Sequence, residues 1–190
     1  MSGLLRFEDV ACWRGGRLLF EGLSLTLQPG EALWVRGPNG VGKSSLLRLA
    51  AGLLAPAAGA VQAAPAALAD DALALDRELP LEAALGFWAG LDARSEGLPD
   101  AMAAVGLQHL NAVPVRMLST GQLRRARLAR VVASRAPLWL LDEPLNGLDE
   151  AGAEQLEAVL DRHRQDGRAV LAASHAPLPG TGWRTLELAG

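Results

Sequence analysis

The chain has 190 residues, half of them hydrophobic, and a formal net charge of −3. This length suits a single domain, residues 1–190, with an ample hydrophobic core. The slightly acidic balance argues against direct nucleic-acid binding, which needs clustered positive charge, and the lone Cys12 excludes an intramolecular disulfide or a multi-thiolate metal site.

Membrane insertion is not expected from the sequence. No stretch offers the roughly 20 consecutive apolar residues of a membrane-spanning helix, and residues 1–8 lack the apolar run of a signal peptide. If the protein works at a membrane, another component must hold it there.

The amino-terminal third predicts an antiparallel β subdomain. Strands are expected over residues 4–13 and 18–27, joined by a turn at Gly15-Gly16, and a third over residues 31–36. In the second strand, leucines alternate with polar residues, which is typical of a strand with one buried face.

A phosphate-binding loop follows the third strand. Residues 37–44 fit the pattern G-x-x-x-x-G-K-[ST] without a mismatch, and a helix is predicted to begin at Lys43. In such a loop, backbone N–H groups surround the phosphates, the lysine supplies a positive charge and the serine hydroxyl binds Mg²⁺. The predicted nucleotide-binding residues are Gly37, Pro38, Asn39, Gly40, Val41, Gly42, Lys43, Ser44 and Ser45. The motif alone leaves kinases, GTPases and ATPases open.

The middle of the chain is the least informative. Residues 53–79 mix alanine with proline and glycine, so they favour no clear element. We predict a mostly helical insertion from Ala67 to about Val115, with helices near residues 81–91 and 99–105.

An acidic pair ends the next apolar strand. The run Leu138–Leu141 is typical of a buried parallel strand, and it leads directly into Asp142 and Glu143. An aspartate at this position suits Mg²⁺, and the adjacent glutamate could act as a general base toward water. A further helix that opens at residues 118–122 and runs to about residue 134, a helix at residues 150–165 and strands at 169–173 and 183–188 predict an α/β core with a mainly parallel sheet.

Three further segments resemble the ABC ATPases, a family of P-loop NTPases. The segment Leu118, Ser119, Thr120, Gly121, Gln122 is similar to the signature LSGGQ, with Thr120 as its one departure, and Asn146–Asp149 resembles the D-loop, with Leu148 and Asp149 as its key residues. His175, just after a predicted strand, resembles the switch histidine. These motifs stand in the order of the family.

The resemblance implies a head-to-tail homodimer in which each ATP lies between the phosphate loop of one subunit and the signature of the other. It also implies that Ser44 and Asp142 hold Mg²⁺, that Glu143 is the general base and that His175 senses the γ-phosphate. Trp13 either stacks on adenine or fills a strand face. The family carries a glutamine near residues 70–76 that contacts Mg²⁺ and the transport partner, whereas this chain has Asp70 and Asp71 there. Asp71 is a candidate replacement ligand, because a carboxylate oxygen suits Mg²⁺.

Within the family, the chain resembles the ATP-binding subunit of the heme exporter of cytochrome c maturation. The similar segments are residues 122–125, 138–144 and 175–178. This implies transmembrane partner subunits and a peripheral location at the cytoplasmic face of the bacterial inner membrane. The alternatives are a subunit of another small ABC transporter, a soluble ABC-type ATPase, or a binding module without turnover, against which Lys43, Asp142, Glu143 and His175 argue.

Overall fold

The structure is a computed structural model that describes residues 3–70, 75–91 and 97–189. Eight strands and five helices form its regular structure within these ranges. The strands are β1 (Leu5–Arg14), β2 (Arg17–Leu27), β3 (Ala32–Arg36), β4 (Ala58–Ala63), β5 (Ala66–Ala69), β6 (Leu138–Asp142), β7 (Ala169–Ala173) and β8 (Trp183–Glu187). The helices are α1 (Lys43–Ala50), α2 (Leu81–Leu91), α3 (Leu98–Ala104), α4 (Thr120–Ser134) and α5 (Glu150–Gln165).

The strands form two sheets. An antiparallel sheet has the order β2-β1-β4, and a parallel sheet has the order β5-β6-β7-β3-β8. Because parallel strands need crossover connections, helices and the antiparallel sheet cover the two faces of the parallel sheet. This architecture confirms the predicted α/β fold with a mainly parallel sheet and an amino-terminal antiparallel subdomain.

Two hydrophobic cores share strand β6. Leu138 and Leu140 belong to the core that contains α1 and the antiparallel sheet, whereas Trp139 and Leu141 belong to the core that contains α2 to α5. Successive side chains of a strand point to opposite faces, so a strand buried on both sides reads as a continuous apolar run. Strand β6 is therefore packed on both faces, which fixes the position of Asp142 at its carboxyl end.

Side-chain caps fix the start of two helices. The Ser119 hydroxyl accepts a hydrogen bond from the Gln122 amide N–H at 3.2 Å, and the Gln122 Oε1 accepts one from the Ser119 amide at 2.8 Å. This reciprocal capping box satisfies two amide groups at the amino terminus of α4. Asp149 caps α5 through the Gly152 amide at 2.9 Å.

The predicted start of the helical insertion is wrong. The chain forms β4 and β5 between residues 58 and 69, so Ala67 belongs to a strand paired with β6 rather than to a helix. Alanine has low strand propensity, and β4 is mostly exposed, so neither composition nor hydrophobic alternation indicates these strands. Within the described residues, no helix is both long and apolar enough to span a membrane.

Candidate nucleotide site

The phosphate loop connects β3 to α1. Gly37 has a φ of 143°, and a Cβ atom there would lie 2.5 Å from the carbonyl oxygen of Leu188. Gly42, the residue before α1, has a φ of 116°. Both positions therefore need glycine, because a side chain would be strained or would collide with backbone.

Lys43 lies under the loop and is almost fully buried, with 7% of its surface exposed. Its ammonium group donates hydrogen bonds to the carbonyl oxygens of Gly37, at 2.8 Å, and Pro38, at 3.2 Å. It also lies 3.2 Å from Nε2 of His175. A buried cation is costly unless it has partners, and here the loop itself provides them.

Strand β6 places the acidic pair beside this lysine. Asp142 and Ser44 line the same cavity, where the Ser44 hydroxyl is placed to stabilise the ionised carboxylate. Burial raises the pKa of Asp142; the neighbouring acids Glu143 and Asp70 raise it further, while the Ser44 hydrogen bond and Arg48 oppose the rise. Ser44 and Asp142 thus place two hard oxygen ligands of the kind that Mg²⁺ prefers next to each other.

Glu143 has a left-handed backbone with a φ of 49°. This conformation is uncommon for a residue with a side chain and is found at functional sites. A hydrogen bond from its amide to the carbonyl oxygen of Ala173, 2.8 Å long, ties it to the end of β7. Both carboxylates line one cavity, and Glu143 lies within 3.4 Å of His175.

His175 follows β7 and is held from both sides. The Trp34 indole donates a hydrogen bond to the Ser174 carbonyl oxygen at 2.9 Å, which anchors the preceding residue. The His175 amide donates to Glu143 Oε2 at 3.3 Å, and its Nε2 lies 3.4 Å from Glu143 Oε1. Lys43, Glu143 and His175 therefore form one connected group.

These residues surround a cavity of about 510 Å³. Its lining includes the predicted residues Asn39, Gly40, Gly42, Lys43, Ser44, Ser45, Asp142, Glu143 and His175. It also includes Leu19 and Asn146, which were not predicted as site residues. Asn146 lies in the D-loop-like segment, which is the signal that could have found it, whereas Leu19 on β2 has no recognisable motif.

Comparison with known protein families shows to which family the chain belongs. The family model described as ABC transporter matches residues 20–146, which is more than half of the chain and includes the loop, the signature-like segment and the acidic pair. The chain belongs to the ABC transporter family. It is an ATP-binding and ATP-hydrolysing member.

Curated relatives narrow this further. The chain is 58% identical to the cytochrome c biogenesis ATP-binding export protein CcmA of Sphingopyxis alaskensis, over 94% of this chain and 93% of that protein. It is 54% identical to the protein of the same name from Novosphingobium aromaticivorans, over 95% and 93% of the two chains. The corresponding protein of Zymomonas mobilis is 51% identical over 97% and 84%.

Solved structures of ABC proteins have the same fold. An ATP-binding subunit of an ABC transporter superposes with a TM-score of 0.81 at 22% identity, over 90% of this chain and 79% of that one. A dimeric ATP-binding cassette in a post-hydrolysis state, bound to ADP and Pi, also gives a TM-score of 0.81, at 20% identity and over 90% and 88% of the chains. At these identities the likeness supports the ABC ATPase fold alone.

The segment that resembles the ABC signature, residues 118–122, contributes nothing to the described lining of the nucleotide cavity. Leu118 is buried, and Ser119, Thr120, Gly121 and Gln122 form the capped start of α4. A Cβ atom on Gly121 would lie 2.6 Å from the carbonyl oxygen of Gly147, so the signature packs directly on the D-loop. In that segment Leu148 is half-buried and Asp149 caps α5.

Two of the predicted site residues, Trp13 and Asp71, are not found in the described lining of the cavity. Trp13 ends β1, is 55% exposed and does not line the cavity, although its β2 partner Leu18 precedes Leu19, which does. It does not fill a buried strand face, so of the two alternatives adenine stacking stays a prediction. Asp71, the candidate Mg²⁺ ligand, lies outside the described residues.

Asp70 takes a position beside the acidic pair. It follows β5, whose Ala69 pairs with Leu141, so Asp70 lies next to Asp142 at the same sheet edge. Its carboxylate lies 3.3 Å from the guanidinium of Arg48 and its side chain is 11% exposed. This ion-paired carboxylate is placed by the pairing of β5 with β6, which the sequence did not indicate.

Proposed function

We propose that this chain is the ATP-hydrolysing subunit of an export complex that serves cytochrome c biogenesis and that heme is the molecule the complex handles. The convergence of Lys43, Ser44, Asp142, Glu143 and His175 on one cavity supports the hydrolytic part. The assignment to cytochrome c biogenesis rests on the names of relatives at 51–58% identity, and heme follows from the sequence resemblance.

The cavity suits a nucleoside triphosphate with magnesium. Backbone N–H groups of the loop and the start of α1 attract phosphate oxygens, and Lys43 adds a positive charge. Ser44 and Asp142 would hold Mg²⁺, which usually completes its shell with phosphate oxygens and water. When bound, the ion neutralises charge that develops on the phosphates during transfer.

Glu143 is the proposed general base. Its carboxylate lies in the cavity wall with Lys43 and His175, and its backbone is held in the left-handed conformation at the end of β6. It would accept a proton from the attacking water, a contribution of about 10²–10⁴-fold in rate. His175, anchored through Ser174 and Trp34, would orient that carboxylate and contact the γ-phosphate.

A second copy of the chain would complete each site. Ser119, Thr120 and Gly121 form the amino terminus of α4, which offers N–H groups and a favourable dipole to an anion. They lie away from the cavity of their own chain, which supports a head-to-tail homodimer in which they meet the partner's nucleotide. Transmembrane subunits would recruit this dimer to the cytoplasmic face of the bacterial inner membrane as a peripheral component.

Glu143→Gln tests the hydrolytic proposal. We expect the purified variant to bind Mg-ATP as tightly as wild type, to lose about 10²-fold or more of its turnover and to form a dimer by light scattering. Glu154→Gln, an exposed change on α5, should behave as wild type. Turnover of Glu143→Gln within about tenfold of wild type would refute the general-base role.

A separate experiment tests the transport assignment. The tagged chain should co-purify from detergent-solubilised membranes with subunits that span the membrane several times. Its deletion should abolish assembly of c-type cytochromes, and Lys43→Ala should fail to restore it. Recovery with ribosomes or assembly factors instead would favour the soluble ATPase alternative.

A further inference from the structure

A second cavity lies at the far side of the parallel sheet from the nucleotide site. It is enclosed by α3, the end of α4 and α5, and it reaches the amino-terminal ends of β6 and β7 at Trp139 and Arg168. Its volume of about 590 Å³ exceeds the 510 Å³ of the nucleotide cavity, and the two linings have no described residue in common. Cavities of this size hold small-molecule ligands in other proteins. We call it the α3–α5 cavity.

Three guanidinium groups line the α3–α5 cavity. They belong to Arg135, which ends α4, Arg162, on α5, and Arg168, which precedes β7. Within the described part of the chain, none of these three side chains makes a hydrogen bond or an ion pair. Guanidinium groups present several N–H donors in a planar fork that matches carboxylate and phosphate oxygens.

The wall of the cavity contains two stacked rings with unmatched polar atoms. The rings of Trp139 and His163 lie 3.6 Å apart between centroids, at an interplanar angle of 20°. They are 4% and 2% exposed, and among the described residues neither Trp139 Nε1 nor His163 Nδ1 has a hydrogen-bond partner. Leaving such a group unmatched costs about 1–3 kcal/mol. Both atoms are buried beneath the surface of the cavity, so a molecule in the cavity would reach them only after a local shift of the wall.

The protonation state of His163 determines the charge of this wall and which ring nitrogen is a hydrogen-bond acceptor. Burial lowers the pKa of His163 to about 4, so the ring is neutral at physiological pH. Its Nε2 lies 3.1 Å from the Ala169 carbonyl oxygen and carries the proton in that hydrogen bond, which leaves Nδ1 as an acceptor. Trp139 Nε1 is a donor. The ring pair therefore adds no charge to the wall, and the charges that a bound molecule meets are those of the arginines and aspartates.

Two acids, Asp100 and Asp166, also line the cavity and partly balance the three arginines. The balance stays positive by one charge, which favours an anion of low charge over a dense polyanion. We propose that the α3–α5 cavity binds a small anion of low charge whose carboxylate or phosphate group is held by Arg135, Arg162 and Arg168. This proposal does not depend on ATP hydrolysis or on transport.

The indole N–H of Trp139 gives a local readout of binding. The chain has five tryptophans, and Trp139→Phe identifies the Trp139 signal in ¹H–¹⁵N NMR spectra. Glycerate probes the carboxylate form and glycerol 3-phosphate the phosphate form, each against sodium chloride at matched ionic strength. We expect one of the two to shift the Trp139 signal saturably with a Kd of about 1 mM or tighter, and the one that does so identifies the acidic group.

Variants assign the effect to the arginines. Arg168→Gln should weaken the saturable shift at least about tenfold, equal to about 1.4 kcal/mol, whereas Arg17→Gln, an exposed change at the start of β2, should leave it unchanged. If Arg168→Gln does not fold, the exposed Arg162→Gln serves instead. The proposal is overturned if neither probe moves the Trp139 signal beyond the chloride control, or if Arg17→Gln weakens binding as much.

Discussion

The contact between Gly121 and Gly147 joins the signature to the D-loop of the same chain. In Gly121→Ala the new Cβ would lie 2.6 Å from the Gly147 carbonyl oxygen, about 0.8 Å short of the 3.4 Å at which ordinary contact begins. The obstacle is backbone, so α4 or the D-loop must move by most of that distance. A displacement of about 1 Å in positioned catalytic groups costs about 10²-fold in rate, which corresponds to about 2.7 kcal/mol of transition-state stabilisation.

The assay is steady-state ATP hydrolysis together with nucleotide binding to the isolated chain. We expect Gly121→Ala to lower kcat about 10²-fold while its affinity for ATP stays that of wild type, because neither Gly121 nor Gly147 lines the cavity around Lys43. Gly86→Ala is the matched control: it is the same change inside a helix, but its Cβ would meet Leu98 at an ordinary 3.9 Å. A kcat for Gly121→Ala within about threefold of the Gly86→Ala value, or a loss of ATP affinity instead, would refute the reasoning.

Two stability predictions follow from burial. Burial raises the pKa of Asp142 above its usual 3.8, so the native state binds this proton more tightly than the unfolded chain, and ionised Asp142 opposes folding as pH rises. Asp142→Asn should therefore be more stable than wild type in urea melts at neutral pH and lose that advantage as pH falls toward 3.8. Equal stability of the two proteins at neutral pH would contradict this. Leu140 is fully buried in β6, so Leu140→Ala should lower the free energy of unfolding by about 2–5 kcal/mol. Leu53 is 69% exposed, so Leu53→Ala should lower it by less than about 0.5 kcal/mol. Similar losses for the two variants in urea melts would contradict the assignment of the core.

Local patterns in the sequence predicted the elements that carry the chemistry. The loop before Lys43 and the apolar run into Asp142 each specify their structure within a few residues, because glycine conformations and burial on both faces leave few alternatives. Their meeting at one sheet edge follows from the parallel arrangement of the strands. His175 was predicted from its resemblance to the switch histidine of the ABC family, which follows an apolar strand.

Strands β4 and β5 were not predictable in this way. Their alanine-rich segments have weak local preferences, and β5 is a strand because it pairs with β6, more than 65 positions away in the chain. Asp70 lies beside the acidic pair only because Ala69 pairs with Leu141, so its position cannot be predicted without the register of the two strands. The stacking of Trp139 on His163 is also non-local, since the two residues belong to different elements joined only by the fold.

The internal hydrogen bonds of Lys43 determine how much free energy nucleotide binding must spend on ordering the phosphate loop. The loop closes around its own ammonium group through the Gly37 and Pro38 carbonyl oxygens, and so holds a defined shape before any phosphate arrives. A receptor that is already ordered loses little conformational entropy on association. In the head-to-tail dimer that we propose, the free energy of ATP binding then remains available for drawing the two subunits together.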